Sequence, residues 1–203
     1  MAKYAEYVVP EGVRNVFGDA FWGTKIKKIA LSASVKDLAW SKPQHGRRYS
    51  KANAVAGRKV EVAPDNERFS VVNEMLLSKD GKTLYRYFGD DATELRLPAS
   101  VETIEKNAIF SFTIEVLAAP GVKNVVSDAV KAARLKTDVF SEKLETFSAK
   151  GIKTNEGPNM VVKIPTDAKI FRSDDASAGL RRFKIENVEP TKTNDAADSD
   201  GTK

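Results

Sequence analysis

The feature that most constrains this chain is that it repeats itself at a period of about 21–22 residues, and a fixed period of about 20–50 residues is the signature of repeat architectures. Tyr7–Ile26 reads YVVPEGVRNVFGDAFWGTKI and Glu94–Ile114 reads ELRLPASVETIEKNAIFSFTI. Both carry the skeleton aliphatic–Pro–x–x–Val–x–x–aliphatic–x–x–x–Ala, followed by an aromatic or aliphatic residue. One period separates Val9 from Leu31, Val13 from Val35 and Val16 from Leu38. The same interval, constant to within a single position, separates Val101 from Val122, Ile104 from Val125, Ala108 from Ala129, Val122 from Leu144 and Val125 from Phe147. A unit this short cannot bury its own apolar face, so successive units must stack into one continuous core, which is a solenoid. The apolar positions neither alternate strictly, as in a half-buried strand, nor recur at i, i+3, i+4, i+7, as in an amphipathic helix. Short strands joined by tight corners satisfy the pattern, with Val13, Val16, Val35, Leu38, Val101, Ile104, Val122, Val125, Leu144 and Phe147 facing inward.

Residue choices within the units agree with this. Val, Ile and Leu suit the inside of stacked strands, Ala20, Ala108 and Ala129 suit corners where backbones crowd, and Pro10, Pro98 and Pro165 suit strand ends, where no ladder bond is lost. In LLSKDGKTLY the Asp80–Gly81 pair lies between two apolar runs and predicts a tight hairpin turn. Gly81-Lys82-Thr83 is not a phosphate loop, because the position that loop reserves for its first glycine is Leu76.

Three stretches resemble a known family. PEGVRNVFGDAFWG and LPASVETIEKNAIF are similar to the units of the BspA-like bacterial leucine-rich repeats, P-x-x-V-x-x-I-x-x-x-A-F with a small or polar turn. Val62–Phe88 resembles the hairpin-bearing unit that interrupts many such arrays, and 161–189 resembles their closing unit, especially in Bacteroidetes-type proteins. The resemblance implies an α/β, strand-rich fold: a right-handed leucine-rich-repeat solenoid of about five coils over 1–189, with a polar tail at 190–203. It also implies adhesion or protein binding at a cell surface, since arrays of this class are mostly associated with those roles.

At 203 residues and 41% hydrophobic the chain can bury a sizeable core. It has no cysteine, which removes disulfides and thiolate chemistry. Its longest apolar run is four residues, so the chain shows neither a secretory leader nor a membrane-spanning segment. Such a chain is expected to be a fragment of a surface protein, or a cytoplasmic or virion component that reaches its place by assembly.

The segment 39–59 interrupts the second unit. It carries Lys42, Arg47, Arg48, Lys51, Arg58 and Lys59 with no acid, while the whole chain sums to +5, so the remainder sums to −1. With Trp40 and Tyr49 interleaved, this insertion is the candidate partner-contacting element for an acidic protein or glycan; the competing reading is a solvated loop. Nucleic acid is not the expected partner.

An enzyme lacks its parts. His45 is the sole histidine and lies in the basic insertion, so a multi-histidine zinc cluster lacks its ligands and a Ser–His–Asp triad has no candidate base elsewhere in the chain. Asp90–Asp91 and Asp174–Asp175 sit in turn-like stretches, Phe21–Trp22 reads as corner packing, and Asp198-Ser199-Asp200-Gly201 lacks the later ligands of a calcium loop. The expected function is therefore non-enzymatic, without cofactor or metal: an interaction or adhesion module binding through the solenoid surface. The alternative is a structural subunit of a surface lattice or virion, self-associating through an uncapped N-terminal end.

Overall fold

The computed structural model of the protein describes residues 6–17, 20–21, 23–38, 55, 57–89, 91–140, 143–148, 151–154, 161–171 and 184–188. Over these residues the chain winds as a strand-rich β-solenoid of about six turns with almost no helix. It begins with a parallel stack of β1 (Glu6–Val8), β2 (Lys28–Leu31) and β3 (Lys59–Val62). Glu6 faces Lys28, one period on, and Lys28 faces Lys59 across a longer step that contains the basic insertion.

A three-stranded antiparallel meander follows: β4 (Phe69–Val72), β5 (Met75–Ser78) and β6 (Thr83–Tyr87). The first turn has Asn73 and Glu74 both left-handed, at φ 45° and 60°, the backbone a two-residue hairpin requires. The second is the expected Asp80–Gly81 turn, with Gly81 at φ 71°. The Asp80 carboxylate accepts from the Ser78 hydroxyl at 2.6 Å and the Lys82 amide at 3.0 Å, and these two bonds hold its carboxyl below the usual range.

Beyond the meander each full coil contributes three strands. These are β7 (Glu94–Arg96), β8 (Thr103–Ile104) and β9 (Ile109–Ser111); then β10 (Val116–Ala119), β11 (Asn124–Val125) and β12 (Val130–Ala132); then β13 (Thr137–Phe140), β14 (Thr146–Ser148) and β15 (Ile152–Lys153). β16 (Val161–Pro165), β17 (Lys169–Phe171) and β18 (Lys184–Val188) continue the stack. Corresponding strands form three parallel sheets, and the meander joins one of them where β6 pairs with β8. In that sheet Ile104 faces Val125 and Val125 faces Phe147, so the intervals in the sequence are the register of the sheet.

Nine of the ten residues expected inside are buried, and Val13, on the first coil, is half-buried against the N-terminal core. The core has two parts, and the meander separates them. Successive strand residues point to opposite faces, so Met75 and Leu77 join the C-terminal core while Leu76 joins the N-terminal one with Phe69. A strand apolar on both faces thus connects the halves.

Corners repeat as well. Asn107 and Asp128, one period apart, are both left-handed (φ 58° and 59°), a backbone that short polar side chains tolerate. Each precedes a fully buried alanine, Ala108 and Ala129, as expected of crowded corners. Ala20 differs: it is exposed, and the residue one period on falls within the basic insertion, outside the described residues. Gly121 marks the tightest approach. A Cβ there would lie 2.0 Å from the Ala99 carbonyl oxygen and 2.9 Å from that of Val101, both backbone atoms of the preceding coil. Gly121→Ala is expected to destabilise the chain by about 1–3 kcal/mol through this overpacking. Urea denaturation measures it, and an unchanged midpoint would mean that the corner opens freely.

Candidate functional site

Where β2 and β3, the end of β6 and the edge strand β9 approach one another, a cleft of about 570 Å³ opens between the two halves of the solenoid. Its chemistry comes from sequence-distant segments. Lys27 and Lys28 enter from the start of β2, Arg58 and Lys59 from the start of β3, Arg86 from β6, and Phe110 and Phe112 from β9 and the turn after it.

Arg86 owes its position to a β-bulge. Leu76 faces Arg86 and Leu77 faces Leu84, so the ladder slips by one residue and the alternation along β6 is re-phased. Arg86 as a residue is 9% exposed. Its Nη1 donates to the Asn107 carbonyl at 2.8 Å, while Nε is buried without a partner. Burial pushes this guanidinium below its ordinary pKa. Asn107 is itself fixed: its amide donates to the Asp128 carbonyl at 2.7 Å and its side-chain oxygen accepts from Lys131 Nζ, also at 2.7 Å.

Phe110 is 47% exposed and Phe112 68%. In β9 the flanking Ile109 and Ser111 turn inward, so Phe110 must turn out. The Ser111 hydroxyl accepts from the amides of Thr113 and Ile114, both at 3.1 Å, closing a tight turn that throws Phe112 outward. The two rings meet edge to face, 5.1 Å between centroids and at 90°.

The cations are not equivalent. Lys28 bridges Glu61 at 2.8 Å and Glu6 at 3.1 Å, and hydrogen bonds to these carboxylates raise its pKa, Glu61 more than Glu6. Arg58 Nη2 donates to the Phe21 carbonyl at 2.5 Å, and its guanidinium lies 5.8 Å from the centre of the Phe21 ring, so it holds that buried corner in place; desolvation lowers its pKa. Among the described residues Lys27, Lys59 and Arg86 make no ion pair, and no carboxylate lines the cleft.

Of the expected contact residues, Arg58 and Lys59 thus stand in the cleft. Trp40, Lys42, Arg47, Arg48, Tyr49 and Lys51 lie outside the described residues, as do His45, Trp22, Asp90, the Asp174–Asp175 pair and the 190–203 tail. Two other hollows mix charges: one beside the hairpin holds Lys36, Asp37, Glu67 and Arg68, the other Lys123, Glu145, Asp167 and Lys169. Among the described residues no three His, Cys, Asp or Glu side chains converge as a metal requires.

No protein-family model and no curated protein matches the chain. Among solved structures it is similar to a leucine-rich repeat protein from Eubacterium ventriosum, at 16% identity and a TM-score of 0.49, covering 79% of this chain. It is also similar to the pneumococcal vaccine antigen PcpA, at 12% identity and a TM-score of 0.38, over 90% of this chain and 68% of that one. The chain spans about half the length, 47%, of the Eubacterium protein. These similarities are weak, and the solenoid stands on the strand registers described above.

Proposed function

We propose that this chain is a non-catalytic interaction module of the BspA-like type, binding a protein or glycan partner through its solenoid surface. The observation that carries the reading is the Phe110–Phe112 pair: two exposed rings that meet edge to face in a cleft bordered by cations. Exposed aromatic patches rimmed by polar groups mark contact surfaces, and aromatic and Arg side chains dominate contact energies. With no cysteine and a single histidine, in the basic segment, the chain offers neither thiolate chemistry nor a Cys/His zinc cluster. Adhesion at a bacterial surface is the setting the family resemblance supplies. The basic segment 39–59 is proposed as a second contact, with Trp40, Lys42, Arg47, Arg48, Tyr49 and Lys51 extending the charge of Lys59.

The test is binding of the immobilised chain to a defined set of extracellular-matrix proteins and to a glycan array. Saturable binding to a small subset is expected. It should weaken as salt is raised, because exposed charges are screened over about 8–10 Å near physiological ionic strength. If nothing binds and sedimentation shows defined oligomers, the chain is instead a structural subunit of an assembly.

A further inference from the structure

We propose that the cleft between the two halves of the solenoid is a binding site for an acidic peptide segment that carries an apolar side chain beside its carboxylates. The proposal deepens the interaction-module reading and rests on it.

Charge selects the ligand's sign. Lys27, Lys59 and Arg86 line one concavity with no carboxylate among its described lining residues, and the acids that neutralise Lys28 lie outside that lining. A recess lined by one sign of charge focuses its field on incoming ions of the other.

Arg86 selects the functional group. A buried donor left without a partner is costly, and the Asn107 carbonyl satisfies only Nη1. The remaining edge of a guanidinium is a planar fork that matches a carboxylate in two parallel bonds, which an ammonium group cannot reproduce. A carboxylate that reaches the guanidinium from the cleft would offset its buried charge.

The phenylalanines select the class of macromolecule. Flat ligands, such as nucleobases, stack on aromatic faces laid along the ligand's path. Here the rings stand at 90° and form an angular notch. A branched or aromatic side chain fits such a notch, one ring offering its face and the other its edge. The cleft volume, about 570 Å³, accommodates a few side chains of an extended segment and lies within the usual range for ligand sites, about 300–1,000 Å³. Carboxylates flanking an apolar residue on a peptide present the two required groups at side-chain spacing.

Fluorescence anisotropy with the full chain tests this. The probes are a labelled short peptide with glutamates around a central leucine, the same peptide with serine for glutamate, the same with alanine for leucine, a sulfated oligosaccharide and an oligothymidylate. The glutamate–leucine peptide is expected to bind about tenfold or more tighter than either altered peptide. Phe112→Ala, at an exposed position, should weaken it about tenfold with unchanged melting. Arg86→Lys, which keeps the charge and removes the fork, should weaken peptide binding about tenfold as well. If Arg86→Lys fails to fold, Phe112→Ala and Lys59→Gln still decide. Tighter binding of the oligonucleotide or the sulfated sugar, no peptide binding, or equal binding by Phe112→Ala would each overturn the proposal. The two readings fail separately: a protein partner that Phe112→Ala and Arg86→Lys bind as tightly as the native chain removes the cleft and leaves the interaction module standing.

Discussion

Ile104→Asp is expected to abolish cooperative melting of the chain. Ile104 is fully buried, and in the parallel ladder it lies between Leu84 and Val125, with Phe147 beyond. Losing the isoleucine forfeits about 1.5–3 kcal/mol of burial. An unpaired buried carboxylate adds several kcal/mol more, against a total domain stability of about 5–15 kcal/mol. In a solenoid each coil is held by its neighbours, so the damage spreads along the stack. Ile104→Val keeps the apolar character and should cost only about 0.5–1.5 kcal/mol. Circular dichroism against temperature distinguishes the two; an Asp variant melting within a few degrees of native would show that this position does not sit in a continuous core.

The sequence revealed the stacking but not the cleft, and the difference is physical. Each aliphatic position on the solenoid's inside meets its counterpart one period away, so the register is a one-dimensional property, readable as the single-period step from Ile104 to Val125. The Asp80–Gly81 turn is local and was equally legible. Arg86 could not be placed inside, because its burial follows from a bulge that re-phases β6, and nothing in TLYRYF signals where the slip occurs. Phe110 and Phe112 were hidden by the repeat itself. Phe21 and Ile109 fill equivalent slots and are both buried, so the next apolar residues along AIFSF read as a continuation of the core. The basic insertion drew attention through its charge, yet among the described residues the cations it brings to the cleft are Arg58 and Lys59, joined there by Lys27 and Arg86 from other segments. A site assembled from four stretches of chain leaves no motif in any one of them.

Asn66→Ala is the other large expected loss. Asn66 is fully buried and uses every polar atom of its side chain. Nδ2 donates to the carbonyls of Ser32 at 2.8 Å and Val35 at 2.9 Å, and Oδ1 accepts from the amides of Arg68 and Phe69, each at 2.8 Å. The amide group thus ties the corner of the second coil to the start of the meander, next to the backbone bond from the Ala63 amide to the Leu31 carbonyl at 2.9 Å. Alanine leaves two carbonyls and two amides without these bonds, at about 1–3 kcal/mol for each that stays buried and unpaired. Water entering the gap will relieve some of them, so a total of about 3 kcal/mol is expected. Asn66→Asp separates donor from acceptor at nearly constant shape. The carboxylate can still accept from Arg68 and Phe69, but its other oxygen would face the Ser32 and Val35 carbonyls with no proton to offer. Burial and those carbonyls should raise this carboxyl's folded pKa above its unfolded value, so its charged form is the destabilising one. The variant should be weakest at neutral pH and recover stability as pH falls through that raised pKa, when a proton restores one donor. Urea denaturation at neutral and mildly acid pH measures both effects. An Asp variant whose deficit relative to the native chain does not shrink on acidification would show that donation to the two carbonyls is not what holds the coil and the meander together.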